Sequence, residues 1–159
     1  MRDKCILPFL ITERLEFFQL TQADLPELEI LLGDTEIMYA WEHGFTKIES
    51  QAWLNENLRR YSSDGYSYWA VRKKNDGSLI GVMGILKEVA EGKQYIGIGY
   101  ILNKKYWGQG YAGEGTEALC QYAFRKLQLQ TLTAQVRTNN FASQHIACLL
   151  YTSDAADDK

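Results

Sequence analysis

Basic charge is not in excess: 17 Lys and Arg stand against 20 Asp and Glu, a formal net charge of −3 at pH 7. Without a basic field the chain cannot neutralise a phosphate backbone in bulk, which excludes nucleic-acid binding by overall electrostatics and leaves only a local basic patch. Cysteine is scarce as well. Cys5, Cys120 and Cys148 are odd in number and far apart, and no C-x-x-C pair exists. Zinc or dithiol chemistry is therefore not expected, and reduced thiols in a cytoplasm are. No apolar run is long enough to cross a membrane. The run from Cys5 to Ile11 is shorter than the core of a usual signal peptide and leads into Thr12-Glu13-Arg14. No linker, repeat or low-complexity segment precedes residue 150. What remains is an ordinary soluble composition, 46% hydrophobic and 23% charged over 159 residues, sized for one domain with one core.

The hydrophobic pattern gives the order of elements. Arg14 to Leu20 reads as a strand. Thr21, with Asp24 three residues on, reads as the start of a helix whose stripe is Leu25, Leu28, Leu31 and Leu32. Gly33-Asp34 ends it. Thr46-Lys47-Ile48-Glu49 is a capping box, and the helix it opens runs to about Tyr61 with Trp53, Leu54 and Leu58 inward. Tyr66–Lys73, Leu79–Val89 and Tyr95–Leu102 read as strands joined by tight turns at Asn75-Asp76-Gly77 and Glu91-Gly92, hence an antiparallel meander. Glu117–Leu127 reads as a helix with Ala118, Leu119, Tyr122, Ala123 and Leu127 inward. Thr131–Thr138 reads as a strand, and Phe141–Leu150 as a last helix with Asn140 near its cap. The expected order is β-α-α-β-β-β-α-β-α, a mixed α/β layer around a mostly antiparallel sheet flanked by helices.

One stretch departs from this plain pattern. Residues 107–115, "WGQGYAGEG", hold four glycines in nine positions. The spacing of Gly108, Gly110 and Gly113 matches G-x-G-x-x-G, the dinucleotide fingerprint. Its context does not. A dinucleotide fold places the fingerprint after a buried parallel strand and an acid about 20 residues on. Here an antiparallel meander precedes it, and Gln128 and Gln130 stand where the acid belongs. A P-loop would need G-K-[ST], which is absent. The physics of the stretch holds without either motif. Glycines admit close approach of a ligand to the backbone, and a helix starting there presents unpaired N–H groups at its positive end. A pyrophosphate fits that description. A turn that merely ends a strand fits it too, and Gly115, inside the helix, needs only a packing role.

The segment Ile98–Phe124, "IGYILNKKYWGQGYAGEGTEALCQYAF", resembles the acetyl-CoA-binding motif of GNAT-type N-acetyltransferases, in the branch similar to ribosomal-protein alanine N-acetyltransferases. Gly108, Gly110 and Ala112 take the later positions of Q/R-x-x-G-x-G/A, while Trp107 stands at the leading basic position of the R-G-x-G-x-G/A form. The likeness extends to "ITERLEFFQLTQADLPEL" and "TNNFASQHIA", and so covers most of residues 11–147. The resemblance implies the acyl-CoA N-acyltransferase fold, acetyl-CoA as cosubstrate, no metal, and transfer of an acetyl group to a primary amine, either a protein N-terminus or a small amine. It implies that backbone groups of Ile101 and Leu102 meet the pantetheine and thioester. It further implies that Gly108, Gln109, Gly110, Tyr111, Ala112 and Gly113 hold the pyrophosphate, and that Asn140 and Ser143 contact the CoA arm. The latter two equally serve as caps of the last helix. Oligomeric state stays open, a homodimer included.

The acid and base are where the chain departs from the family. Many members carry Glu just before I-G-Y, where this chain has Gly97, and Tyr four residues after the Ser, where it has Ala147. His43 and Glu42, in the loop that lines the acceptor site in the family, and Glu88, near the end of its strand, are the substitute candidates. An imidazole changes charge near neutrality; a surface loop histidine or a solvated turn carboxylate is the plain alternative. Tyr100 can orient a water or simply pack. The empty positions also admit a second reading, an acyl-CoA-binding module or a truncated fragment without turnover. Residues 151–159, "YTSDAADDK", do not continue the family pattern. They read as a disordered or foreign tail after a domain of residues 1–150 that lacks its last two strands.

Overall fold

The computed structural model describes residues 7–41, 43–90, 92–129 and 133–134. Its sheet has six strands in sequence order: β1 (Leu10–Ile11), β2 (Leu15–Phe18), β3 (Tyr68–Lys73), β4 (Leu79–Ala90), β5 (Lys93–Leu102) and β6 (Thr133–Ala134). The first five pair antiparallel, and β6 joins β5 in parallel. Among the described residues three α-helices flank it: α1 (Leu25–Gly33), α2 (Lys47–Ser63) and α3 (Tyr111–Arg125).

Alternation along the strands assigns two faces, each with its own core. Phe17, Trp69, Val71, Met83, Ile85 and Ile98 pack on one face with Leu119 and Ala123 of α3. Phe18, Ala70, Val82 and Ile101 pack on the other with Leu28, Leu31, Leu32 and Leu54 of α1 and α2. The helices thus cover both sides of a sheet whose central strands are buried on both.

The elements form for local reasons that the sequence largely states. The Thr46 hydroxyl accepts the Glu49 amide at 3.1 Å and the Glu49 carboxylate accepts the Thr46 amide at 2.9 Å, the reciprocal capping box that opens α2. Thr21 opens a 3₁₀ turn, Gln22–Asp24, and α1 itself begins at Leu25 with Pro26 in its first turn, where a missing N–H costs nothing. Gly77 adopts φ +74° and closes the β3–β4 turn. Gly92, at φ +77°, sits in the turn closed by the Ala90–Lys93 pair.

Three expectations need correction. A short edge strand, β1, precedes β2 and pairs Leu10 with Phe17, so the described order opens with two strands. Helix α3 begins at Tyr111 and not Glu117, and ends at Arg125. Glycine lowers helix propensity, but burial against the sheet overrides it. The expected end at Leu127 fails because Gln128 turns left-handed at φ +56° and the Leu127 amide folds back to Tyr122. The strand expected over 131–138 is described only at Thr133–Ala134. The helix expected over 141–150, Asn140, Ser143, Ala147, Glu42 and the segment 151–159 lie outside the described residues.

Two polar contacts tie the layers together. Arg72, 5% exposed, spans Asp24 at 2.9 Å and Glu27 at 2.7 Å. It also donates to the Gly77 carbonyl at 3.0 Å, joining the start of α1 to the β3–β4 turn. Asn57 of α2, 3% exposed, accepts from the Ser67 hydroxyl and the Tyr68 amide and donates to the Trp53 carbonyl, fixing α2 to the start of β3.

Gly115 sets how closely α3 approaches the sheet. A Cβ there would stand 2.3 Å from Met83 Sδ and 3.3 Å from Phe17 Cζ, whereas one on Gly113 meets nothing within 4 Å. Gly115→Ala is expected to destabilise the protein by about 1–3 kcal/mol through overpacking. Gly113→Ala should be neutral or stabilising by up to about 1 kcal/mol, since helix propensity alone changes. Urea unfolding of the two variants beside the parent checks the opposite signs.

Candidate active site

Helix α3 starts where β5 ends, one 3₁₀ turn (Lys104–Tyr106) and the glycine stretch apart. Its N-cap is Gly110, in the left-handed region at φ +83°, and Gly108 is left-handed at φ +76°. A Ser or Asp at the N-cap would use its side chain to occupy one of the first amides. Glycine cannot, and the first N–H with an intrahelical acceptor is that of Glu114, to the Gly110 carbonyl at 3.0 Å. Among the described residues no protein acceptor meets the backbone N–H groups from Gly108 to Gly113. Six consecutive open donors stand at the positive end of a 15-residue helix, where the dipole favours an anion.

The cradle is braced from the β2 side. Arg14 Nε donates to Glu114 Oε1 at 2.6 Å and Nη1 to the Gln109 carbonyl at 3.0 Å. Its guanidinium lies 4.2 Å from the centre of the Tyr111 ring. The Arg14 amide and the Thr12 hydroxyl both donate to Glu114 Oε2, at 2.9 and 2.5 Å. Burial pushes the Glu114 carboxyl up, but the Thr12 hydroxyl, the Arg14 amide and the Arg14 guanidinium outweigh it and hold the group below the usual carboxylate range. On the β5 side the Trp107 indole N–H donates to the Leu102 carbonyl at 3.0 Å and Gln109 Nε2 to the Lys105 carbonyl at 3.0 Å. The ring of Trp107 remains 48% exposed.

Strand β5 leads to the start of α3. Among the described residues β6 meets the β5 edge at Gly97 and Ile98 alone, and no described strand pairs with that edge from Gly99 to Leu102. Ile101 is buried on the α1/α2 face and Leu102 on the α3 face, so each can offer an extended ligand only its main chain. On the α1/α2 face Tyr68 leans over β5: its phenolic oxygen would stand 2.9 Å from a Cβ on Gly99. Trp53 packs beside it with ring centres 5.3 Å apart.

The acid/base candidates are more scattered. His43 is exposed and its Nε2 lies 2.9 Å from Glu49 Oε2, the same carboxylate that closes the α2 capping box. Its loop is held at both ends. The Phe45 amide donates to the Leu32 carbonyl at 2.7 Å, and Lys104 reaches Asp34 at 3.3 Å and Glu36 at 2.9 Å. Glu88 stands in register with Tyr95, two residues along β4 from Leu86, which pairs with Gly97. Tyr100 packs against the α3-side core, the opposite face from Gly97 and Gly99. Among the described residues no cluster of three His, Cys, Asp or Glu is placed to hold a metal. No described helix is long and apolar enough to cross a membrane.

Two features escaped sequence reasoning. The Arg14–Glu114 pair joins residues 100 apart, and nothing local marks it. Tyr68 reads as one more aromatic of a buried strand; only the pairing of β3 with β4, and β4 with β5, brings its hydroxyl over Gly99.

Open main-chain donors at a helix start, directly after a strand, suit an anionic ligand. Comparison with known proteins gives the family. The model of the acetyltransferase (GNAT) domain matches residues 14–148, and the chain belongs to that family as an N-acetyltransferase. The uncharacterized protein YkkB of Bacillus subtilis is 29% identical over 139 residues, covering 87% of this chain and 81% of its own. An acetyltransferase structure from Agrobacterium tumefaciens shares the fold at a TM-score of 0.78 with 24% identity, over 94% of this chain and 86% of that one. RimL, a ribosomal L7/L12 alpha-N-protein acetyltransferase solved in complex with coenzyme A, aligns at a TM-score of 0.74 with 19% identity, over 92% and 82% of the two chains.

The pairing of Glu114 carries a pH dependence. Its pKa is lowered from 4.5 on folding, so the network's contribution is complete above the unfolded value and is lost as pH falls through the folded one. Glu114→Gln should therefore flatten the loss of melting temperature between about pH 5 and pH 3 relative to the parent. Parallel thermal melts across that range check it.

Proposed function

We propose that the protein transfers the acetyl group of acetyl-CoA to a primary amine, a protein N-terminus or a small amine. The observation that carries this reading is the run of N–H groups from Gly108 to Gly113, without protein acceptors among the described residues, at the end of β5. The pyrophosphate rests on those amides, Gly108, Gln109, Gly110, Tyr111, Ala112 and Gly113. The pantetheine arm runs along β5 and pairs with the main chain at Ile101 and Leu102. Asn140 and Ser143 complete the contacts to the arm. This assignment uses no metal, and it places the reaction in the cytoplasm, where acetyl-CoA is made available.

The chemistry asks little of side chains. The thioester is activated, the thiolate is a good leaving group, and much of the rate comes from holding amine and carbonyl together. A backbone N–H stabilises the tetrahedral oxyanion. The amine must lose a proton, and with Gly97 at the position of the family's usual carboxylate that proton goes to His43, Glu42 or Glu88, directly or through water. His43 is the first to test, because Glu49 already orients its ring. His43→Gln should lower kcat by about 100-fold or more with little change in KM for acetyl-CoA. An unchanged kcat removes His43 from the reaction.

Calorimetric titration with acetyl-CoA and a thiol-release assay against N-terminal peptides and small amines test the activity itself. Heat of binding without thiol release from any amine supports the second reading, a binding module. Gly110→Asp should abolish acetyl-CoA binding in a folded protein, by placing a carboxylate among the amides that receive the pyrophosphate. A helix N-terminus tolerates that carboxylate, and Asp in the left-handed backbone of Gly110 costs about 1–2 kcal/mol, so circular dichroism must show the variant folded. Retained affinity would put the phosphates elsewhere.

A further inference from the structure

Six N–H groups serve an anion only if the loop keeps them on one side and no like charge stands beside them. Arg14 meets both conditions. In a trans peptide the C=O and the next N–H point in opposite directions. Arg14 Nη1 holds the Gln109 carbonyl at 3.0 Å, which turns the Gly110 N–H away from the arginine and outward. Nη2 lies 3.4 Å from where a Gly110 Cβ would stand, and the guanidinium covers the Tyr111 ring. One side chain thus backs three successive residues of the cradle.

The charge argument is separate. Glu114 stands in the first turn of α3 with its carboxylate 19% exposed. Unpaired, it would repel a pyrophosphate bound one turn away. Arg14 Nε meets it at 2.6 Å, and the Arg14 side chain remains 41% exposed. The Glu114 contact in turn raises the Arg14 pKa further, so the cation is permanent.

We propose that Arg14 is the positioning residue for the pyrophosphate of the acyl donor, shaping the Gly108–Gly113 cradle from behind and neutralising Glu114 without touching the thioester. The proposal rests on the acetyl-CoA reading above. Lysine cannot replace it, because a single ammonium does not hold Glu114 and the Gln109 carbonyl together as a planar fork does.

The test compares two donors with the same thioester: acetyl-CoA, and S-acetylpantetheine, which has no phosphate. Arg14→Ala is expected to raise KM for acetyl-CoA by roughly 10–100-fold, the equivalent of one charge-assisted hydrogen bond. It should leave kcat within about twofold and kcat/KM for S-acetylpantetheine unchanged. Arg14→Lys should show most of the same loss. It carries the comparison alone if the alanine variant does not fold by circular dichroism. Equal loss with both donors would make Arg14 a merely structural residue and overturn the proposal. So would full rescue by lysine, or an unchanged KM. A parent enzyme that gives no binding heat with acetyl-CoA overturns the donor reading beneath it.

Discussion

The closeness of α3 to the sheet governs the rest of the structure. Gly115 lets the helix backbone sit where even a methyl group would strike Met83 Sδ and crowd Phe17. Seated this deep, the helix buries Leu119 and Ala123 completely and its first turn comes within reach of β2. Only then can Arg14, at the start of β2, bond both Glu114 and the Gln109 carbonyl. The cradle is therefore a consequence of packing one turn further along the helix. Van der Waals fit at Gly115 and electrostatic fit at Gly110 belong to one rigid arrangement.

The two faces of the sheet divide the labour. The α3 face carries the open main-chain N–H groups at the start of α3. The α1/α2 face carries aromatic side chains, Tyr68 and Trp53, over the glycines of β5. It also carries the Asp34–Phe45 loop, whose ends are anchored by the Leu32 carbonyl and by Lys104. Asn57 makes α2 and the start of β3 move as one piece.

Much of the fold was legible in the sequence because its cues are local. The capping box at Thr46 and Glu49, the Asn75-Asp76-Gly77 turn and the alternating strands each declare themselves within a few residues. The start of α3 was misjudged because glycine speaks against a helix locally, and only the buried sheet beneath Gly115 explains its place there. Edge strand β1 was missed because two residues carry no periodicity. In the site, the glycine stretch was legible as a helix start with open main-chain N–H groups. Arg14 and Tyr68 were not, because their partners lie 100 and 31 residues away along the chain. Proximity of that kind is created by topology, and no window of sequence contains it.

The cradle is written in main chain, and this bears on how such a protein changes over time. At positions 109, 111 and 112 every residue other than proline offers the same N–H, although Tyr111 also packs into the α3-side core. Substitution is costly where the backbone is left-handed, at Gly108 and Gly110, where a Cβ would collide, at Gly115, and at the bracing pair Arg14 and Glu114. A main-chain arrangement of this kind can thus persist while the letters around it drift, and distant relatives are to be expected to share a shape long after they have ceased to share a sequence.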